Sequence, residues 1–329
     1  MEDREDFAIA IANQPQWMRW VASLDLGRRV PWAPDDTVVV VGMGSSTNAG
    51  AVFVEAMRGI GRRAVNIDAS AVAHYPEGFM PGEHLIVISE SGRSPEPIAA
   101  ARRFGVANPI VVTNFPASQV TALSDDIVPL GGYKDSGVYT IGYTTTLVAL
   151  ASIARAHGAD IGDPMALADA AEATLAQFTG KLADDATALD KASFLDLVGQ
   201  GTGAGSAQAA ALLFRESCAL PTAFHQTQQY LHGPMEVCGE ASAILLFGDA
   251  RELSIAAQLR EAGALTIGFA AHPGDAAPGL HRLDVPAEGL AGAVAEVVFA
   301  QLLAAELSTM RHRHVGHFQF EQKDTKLPI

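Results

Sequence analysis

One order of strand-like and glycine-rich segments occurs twice in the chain, and this repeat constrains the fold more than any other feature. In the first half, short β-branched runs alternate with alanine-rich stretches that are long enough to form helices. The runs are TVVVVG at 37–42, RRAVNID at 62–68, LIVIS at 85–89, PIVVTN at 109–114 and DIVPL at 126–130. Such alternation is typical of βαβ units, in which helices cover both faces of a parallel sheet.

The second half repeats this order at a nearly constant distance. Gly44 and Gly201, which occupy matching positions in two glycine-rich turns, are 157 residues apart. The matching segments are FLDLVGQGTG at 194–203, AILLFGDAREL at 243–253, ALTIGFAA at 264–271 and HRLDVP at 281–286. Two tandem copies of one nucleotide-fold-like α/β unit are the simplest explanation.

The segments around the two copies predict the domain organisation. The stretch between the copies is acidic and alanine-rich with few glycines, which favours a helical connector over a flexible linker. The predicted parts are a helical segment at 1–30, a first domain at 31–157, a connector at 158–191, a second domain at 192–312 and a tail at 313–329. The first segment is too short for a separate DNA-binding domain.

The charge balance argues against several classes of partner. A formal net charge of −15 over 329 residues disfavours nucleic acid and anionic membranes, because those partners require clustered lysine and arginine. Any anionic ligand must therefore be held by local groups. The apolar stretch at 289–308 contains Glu296, Gln301 and Glu306, which predicts a buried helix rather than a membrane span.

Cysteine usage and the first residues predict a reducing, cytoplasmic location. Cys218 and Cys238 are the two cysteines of the chain and lack CxxC spacing, which argues against a disulfide framework and a zinc site. The opening sequence MEDREDFAIAIANQPQ has no basic region followed by an apolar core, so a signal peptide is not expected.

Each copy sends its first strand into a glycine-rich turn, GMGSSTNAG from Gly42 and GQGTGAG from Gly199. Glycine lets backbone N–H groups approach a ligand, and the following helix presents about half a positive charge at its N-terminus. Many α/β proteins have such turns for packing reasons alone. Neither turn by itself therefore defines a binding site.

Hydroxyl side chains concentrate after the first and third predicted strands. The carboxyl ends of parallel strands share one edge of a sheet, so the two groups of hydroxyls are expected to converge on one crevice. They are Ser45, Ser46 and Thr47 in the first turn, and Ser89, Ser91 and Ser94 in SESGRS. This concentration of donors predicts a site for a phosphate or a polyhydroxyl sugar.

A dinucleotide site is the alternative for the first turn. Gly42, Gly44 and the later Asp68 resemble part of a Rossmann fingerprint, but Thr47 stands where the third glycine is required. A nicotinamide site also has no need of the second polar loop.

The loops GMGSSTNAG, ISESGRSPEP and GYTTTL at 142–147 resemble the phosphosugar-binding loops of the sugar isomerase (SIS) superfamily. The tandem copies, with the lead-in IANQPQ at 11–16, resemble the isomerase domain of glucosamine-fructose-6-phosphate aminotransferases. The resemblance implies two tandem SIS domains and no cofactor or metal. It also implies a set of substrate-binding residues: Gly44, Ser45, Ser46, Ser89, Glu90, Ser91, Ser94 and Thr140.

The resemblance also assigns catalytic roles in the second copy and the tail. Glu216 matches the base that moves a proton between C1 and C2 of the sugar, and His232 matches a ring-opening histidine. In the family this histidine reaches the active site of the neighbouring subunit, which implies a homodimer with shared active sites. A tail lysine that contacts the sugar carbonyl or forms a Schiff base with it falls on Lys323, with Lys326 as the alternative.

Physical chemistry supports a base at Glu216 but also offers simpler explanations. The apolar neighbours LLF at 212–214 would raise the pKa of the carboxyl, which suits a group that accepts and returns a proton. A glutamate beside Arg215 on an amphipathic helix is otherwise usually solvated. A histidine before Gly233 and Pro234 is otherwise usually a turn residue.

Three features depart from the family pattern. Glu90 stands where the family commonly has glutamine, and a carboxylate near phosphate costs about 4 kcal/mol at ~4 Å and moderate dielectric. Either Glu90 points away, or Arg93 offsets it, or the ligand differs. Leu213 replaces a lysine of the aminotransferase, and the second copy has FGDAREL in place of the serine loop. No amidotransferase segment is present, so glutamine-driven amination is not expected.

Together these patterns predict a cytoplasmic, cofactor-free phosphosugar isomerase. An amino sugar phosphate is the favoured substrate, which the enzyme would isomerise and deaminate to a ketose phosphate and ammonia. A non-catalytic sugar-phosphate-binding regulator is the second hypothesis, and a nicotinamide-dependent dehydrogenase is the third.

Overall fold

The computed structural model describes residues 4–27, 29–275, 277–320, 322 and 324–328, and it divides into two compact units. The first-sheet unit comprises Gln16–Lys134, Ile141–Met165 and Gln319–Ile329. The second-sheet unit comprises Met1–Pro15, Asp135–Thr140 and Ala166–Phe318. The opening helix α1, Phe7–Ala22, contributes residues to both.

The first-sheet unit contains five parallel strands in the order β2-β1-β3-β4-β5. Its central strands are continuous apolar runs because helices cover both faces of the sheet. The elements in chain order are β1 Thr37–Gly42, α2 Ser45–Gly59, β2 Arg63–Asp68, β3 His84–Ile88, α3 Pro95–Phe104, β4 Ile110–Thr113, β5 Ile127–Pro129 and α4 Ile141–Ala156. Short 3₁₀ segments at Ala69–His74 and Gln119–Leu123 complete the connections.

The second-sheet unit contains a second parallel sheet in the order β7-β6-β8-β9-β10. Its elements in chain order are α5 Pro164–Phe178, α6 Ala183–Leu189, β6 Phe194–Gly199, α7 Thr202–Cys218, β7 Thr222–Gln226, α8 Thr227–Tyr230, β8 Ser242–Phe247, α9 Ala250–Glu261, β9 Leu265–Ala270, β10 Leu280–Arg282 and α10 Gly289–Met310. A 3₁₀ segment spans Pro234–Val237.

The two sheets have the same strand order when each is numbered from its own first strand, 2-1-3-4-5. The predicted α/β fold, with parallel sheets flanked by helices, is confirmed. The interpretation as two tandem domains, with the boundaries given above, stays a prediction. The strand β7 was not predicted, because Ala223, Phe224 and Gln226 are exposed and TAFHQ is not a continuous buried run.

The helix α10 forms the centre of the second-sheet core and packs against α7. Among the described residues, α10 is the one helix that is long and apolar enough to cross a membrane. However, 78% of its most apolar 18-residue stretch is buried inside the protein. Glu296 and Gln301 are buried within it. The predicted buried helix is confirmed.

Candidate functional site

The strand order of the first sheet creates a crevice between β1 and β3. Chain connections from these two neighbouring strands leave in opposite directions, and ligands of open α/β sheets bind outside the carboxyl ends at such a point. Val41 of β1 pairs with Val87 of β3, so the two strands end side by side. The first glycine-rich turn and the serine loop, defined here as Ser89–Ser94, therefore begin at adjacent positions.

No described side chain caps the start of α2 at the first turn, although the Ser46 N–H donates to the Met43 carbonyl at 3.1 Å. Gly44 is the N-cap residue with φ 54° and ψ −125°, and α2, which is described in full, has neither a side-chain cap nor an acidic residue in its first turn. A Cβ at Gly42 would lie 2.8 Å from the Cβ of Ser46, so only glycine allows this close turn. Ser45 and Ser46 are the first residues of the helix, where backbone N–H groups suit an anion.

The serine loop is fixed by backbone hydrogen bonds to its neighbours. The Ser89 N–H donates to the carbonyl of Val112, and the Asn114 N–H donates to the carbonyl of Glu90. Gly92 adopts φ 65°, and a Cβ there would lie 1.7 Å from the Oγ of Ser118. The observed backbone of the loop therefore requires glycine at position 92, both for its positive φ and for its close approach to Ser118.

Ser89 places a buried hydroxyl inside this loop. The residue is 2% exposed, and its Oγ has no hydrogen-bond partner among the described residues. A buried hydroxyl without a hydrogen-bond partner usually destabilises the folded protein. Ser89 is therefore a position where a ligand can supply the missing hydrogen bond.

The C-terminal residues 324–328 lie along the serine loop. Lys326 Nζ donates to Ser91 Oγ at 2.8 Å and to Ser94 Oγ at 3.1 Å. The Leu327 N–H donates to the Arg93 carbonyl at 2.8 Å, and Arg93 Nε donates to the Leu327 carbonyl at 2.8 Å. The tail lysine favoured from the sequence, Lys323, lies outside the described residues, whereas its alternative Lys326 contacts two of the predicted serines.

Glu216 lies near the end of α7 in the second-sheet unit and is partly buried. Removal from water raises the pKa of its carboxyl to about 7. The direction agrees with the effect expected from the apolar LLF segment at 212–214. A group with this pKa exchanges protons readily near neutral pH.

His232 and Thr140 also belong to the second-sheet unit. His232 is exposed in the turn after α8, where its N–H donates to the Gln229 carbonyl. Thr140 is fully buried, and its Oγ1 donates to Asp135 Oδ1 at 2.6 Å. The predicted substrate-binding residues other than Thr140 are therefore in one unit, and Glu216, His232 and Thr140 are in the other.

Sequence reasoning did not place two buried carboxyl groups at the matching crevice of the second sheet. Glu252, 7% exposed, accepts a hydrogen bond from Thr227 Oγ1 at 2.5 Å. Glu296, 8% exposed, has its pKa raised to about 7 by burial, and its Oε1 would lie 3.3 Å from a Cβ at Gly203. Glu252 could have been noticed because it follows the strand in FGDAREL, where the first copy has serines.

No group of three or more histidine, cysteine, aspartate or glutamate side chains is arranged to hold a metal ion in the described part of the chain. Both cysteines are free thiols, and burial raises the pKa of each.

Comparison with known proteins adds related sequences. No family model matches the chain. It is 27% identical over 304 residues to an isomerizing glutamine–fructose-6-phosphate aminotransferase of Pyrobaculum aerophilum, covering 87% of this chain and 49% of that protein. A similarly named protein of Zymomonas mobilis is 28% identical over 224 residues, covering 64% and 37% respectively. The chain thus spans about half or less of the length of these curated relatives.

Solved structures share the fold over nearly the whole chain. The C-terminal domain of glucosamine-fructose-6-phosphate aminotransferase from Francisella tularensis matches with TM-score 0.79 and 16% identity, covering 95% of this chain and 99% of that one. A glucosamine-6-phosphate deaminase from Thermotoga maritima matches with TM-score 0.80 and 18% identity, covering 98% and 100%. A tagatose-6-phosphate ketose/aldose isomerase from Escherichia coli matches with TM-score 0.77 and 18% identity, covering 93% and 92%.

Proposed function

Because these relatives confirm the resemblance to the sugar isomerase superfamily, we propose that the protein is a phosphosugar aldose–ketose isomerase. Its favoured substrate is an amino sugar phosphate, which it converts to a ketose phosphate and ammonia. The observation that carries this proposal is the serine loop beside the start of α2, which has no side-chain cap among the described residues, at the crevice of the first sheet. The proposal includes two tandem SIS domains, a cytoplasmic location and a homodimer.

The first step is binding of the phosphate group. The hydroxyls of Ser45, Ser89, Ser91 and Ser94 and the backbone N–H groups of α2 supply neutral donors, which form strong hydrogen bonds to an anion. The unpartnered hydroxyl of Ser89 supports this role, since a phosphate oxygen would satisfy it. Such donors allow an acidic protein to bind an anion without a large basic patch.

The chemical step is proton transfer between C2 and C1. Once the ring is open, the Glu216 carboxylate removes the C2 proton of the amino aldose, and O1 gains a proton to give an enolamine. Return of a proton to C1 gives a C2 imine, and water then adds at C2 and expels ammonia to leave the ketose. A carboxyl group with a pKa of about 7 suits both the removal and the return of the proton.

His232 and a tail lysine complete the proposed catalytic set. His232 would assist ring opening, and its exposure is compatible with reaching a neighbouring subunit. Lys323 is the first candidate for contact with the sugar carbonyl, and Lys326 is the second.

The substitution Glu216→Gln separates an isomerase from a sugar-phosphate-binding regulator. It keeps the size of the side chain but removes the base, so kcat should fall by roughly 10²–10⁴. Affinity for glucosamine 6-phosphate, measured by calorimetry, should stay within about threefold because the serine loop is unchanged. Turnover of the wild type should rise with pH through about 7, as the Glu216 carboxyl loses its proton.

Glu261→Gln provides a matched control, because it neutralises an exposed glutamate at the end of α9. It should turn over substrate like the wild type. A Glu216→Gln enzyme with the wild-type kcat would remove Glu216 from the mechanism, and a wild type that binds but never converts sugar phosphates would favour the regulator.

A further inference from the structure

The serine loop contacts a cation that comes from the far end of the chain. Lys326 Nζ lies 2.8 Å from Ser91 Oγ and 3.1 Å from Ser94 Oγ, and it donates to both. A serine hydroxyl that accepts from an ammonium group still has its own proton to donate. Lys326, Ser91 and Ser94 therefore form a compact group of donors at the end of β3.

This lysine is held by its backbone neighbours. Leu327 and Arg93 exchange two hydrogen bonds, each 2.8 Å long, and the Leu327 side chain packs against the core of the first-sheet unit. Gln119 Nε2 donates to the carbonyl of Pro328. We name residues 324–328 the strap, because these contacts hold it against the serine loop and the neighbouring 3₁₀ segment independently of the Lys326 side chain.

Charge explains what the strap adds to the loop. The chain has a net charge of −15, and Glu90 is part of the serine loop itself. A phosphate near that carboxylate is repelled by about 4 kcal/mol per pair of unit charges at ~4 Å and moderate dielectric. Arg93 adds a positive charge at the other end of the loop, where its Nε donates to the Leu327 carbonyl. An ammonium group on Ser91 and Ser94 supplies an attraction of opposite sign.

On the basis of the proposed function, we infer that Lys326 is the cation of the phosphate-binding site and that the strap delivers it. This role differs from contact with the sugar carbonyl, which remains with Lys323. The ligand class is a phosphate monoester. Its oxygens would be bound by the Lys326 ammonium together with the Ser91 and Ser94 hydroxyls.

The experiment compares three variants by calorimetry with glucosamine 6-phosphate and with unphosphorylated glucosamine. All are made in the Glu216→Gln background, so that the phosphate site is kept while the ester is not turned over. Lys326→Met should weaken binding of the phosphate ester about 10- to 100-fold, the usual worth of one charged hydrogen-bonding partner. Lys326→Arg keeps the charge and should stay within about fivefold of the wild type. Lys191→Met removes an exposed lysine of the second-sheet unit and should leave affinity unchanged.

Each contrary result has a separate meaning. If the wild type binds the phosphate ester and Lys326→Met binds it equally well, the role of Lys326 is overturned while the proposed function stands. If Lys326→Met keeps the wild-type KM but loses kcat, the lysine acts on the carbonyl instead, and the inference is again overturned. If the wild type does not bind the ester more tightly than glucosamine, the phosphate site itself is wrong.

Thermal denaturation of all variants shows whether the strap substitution affects folding. Lys326 is exposed, so Lys326→Met should melt within about 2 °C of the wild type. Loss of affinity for the ester with unchanged melting and unchanged affinity for glucosamine would support the inference.

Discussion

The two sheets of this protein share a strand order and a first-turn conformation, and they differ in the residues that follow their third strands. Their strand orders are the same, and the first turns are nearly superimposable in conformation, with φ 54° and ψ −125° at Gly44 and φ 59° and ψ −128° at Gly201. After the third strand of each copy the likeness ends. The first sheet leads into the serine loop, and the second leads through Gly248 and Asp249 into α9.

Buried carboxyl groups distinguish the second crevice. Glu296 reaches the start of α7, where its Oε1 would nearly touch a Cβ at Gly203, and Glu252 lies in the first turn of α9. A carboxyl group thus lies near the start of α7, whereas the corresponding helix of the first copy, α2, which is described in full, has neither a side-chain cap nor an acidic residue in its first turn. Backbone repetition fixes where the loops lie, whereas the side chains decide whether an anion can bind there.

The largest effect should come from giving the first crevice the acidic character of the second. In Ser91→Asp the new carboxylate pairs with Lys326 and repels phosphate, so affinity for glucosamine 6-phosphate should fall about 10²- to 10³-fold. Titration calorimetry measures this loss. Ser254→Asp adds the same charge to an exposed position on α9 and should change affinity by less than about twofold. Equal affinities for both variants would show that the serine loop does not hold the phosphate.

A change in the second crevice should alter stability and its dependence on pH. The folded state raises the pKa of Glu296 from an ordinary value of 4.5 to about 7, so the native protein binds more protons than the unfolded chain between these values. The free energy of unfolding should therefore decrease as pH rises through this window, by about 3 kcal/mol from this one group.

The substitution Glu296→Gln should remove that decrease. The free energy of unfolding of the variant should match that of the wild type at about pH 5 and exceed it by about 2–3 kcal/mol at about pH 8. Denaturant unfolding at the two pH values measures this difference. Glu261→Gln is the control for simple loss of charge, since it lies exposed on α9. If the free energy of unfolding falls with pH equally in Glu296→Gln and in the wild type, this carboxyl is not held neutral by burial.

The smallest effect concerns one hydroxyl in each crevice. Ser89→Ala removes a buried hydroxyl that has no partner among the described residues, so the free energy of unfolding should change by less than about 0.5 kcal/mol. Thr227→Val removes the hydrogen bond to Glu252 and should cost about 1–3 kcal/mol.

Binding then tests the purpose of the Ser89 hydroxyl. Affinity for glucosamine 6-phosphate should fall about tenfold in Ser89→Ala, because one hydrogen bond to a charged oxygen is lost. Thr227→Val should bind the ester like the wild type. A destabilised Ser89→Ala protein with unchanged affinity would reverse this assignment.

The sequence predicted the sheets well where strands are buried on both faces. TVVVVG and LIVIS became β1 and β3 with nearly the expected bounds, because a parallel strand between helices requires a continuous apolar run. The edge strand β7 lacks that requirement, and its exposed side chains left no apolar signal.

The candidate site was predictable in its loops but not in its long-range partners. The serines and Glu216 carry local signals, namely their position after a strand and the apolar neighbours of the carboxyl. Lys323 and Lys326 have similar local surroundings, and only folding brings Lys326 within 2.8 Å of Ser91, 235 residues away. Glu296 likewise lies in an apolar run, and its approach to Gly203 depends on the packing of α10 against α7.

The packing of α1 against α10 has a consequence for how the protein is made. Phe7 and Ile11 share one core cluster with Phe299 and Leu303, and Gln14 Nε2 donates to Gln301 Oε1 at 2.7 Å. Translation at about 5–20 residues per second separates the emergence of these partners by roughly 15–60 s. During that time the nascent chain exposes apolar surface whose partner has not yet been synthesised. Completion of the second-sheet core therefore waits until α10 has been synthesised, and a chaperone that shields α1 during synthesis would act on this interval.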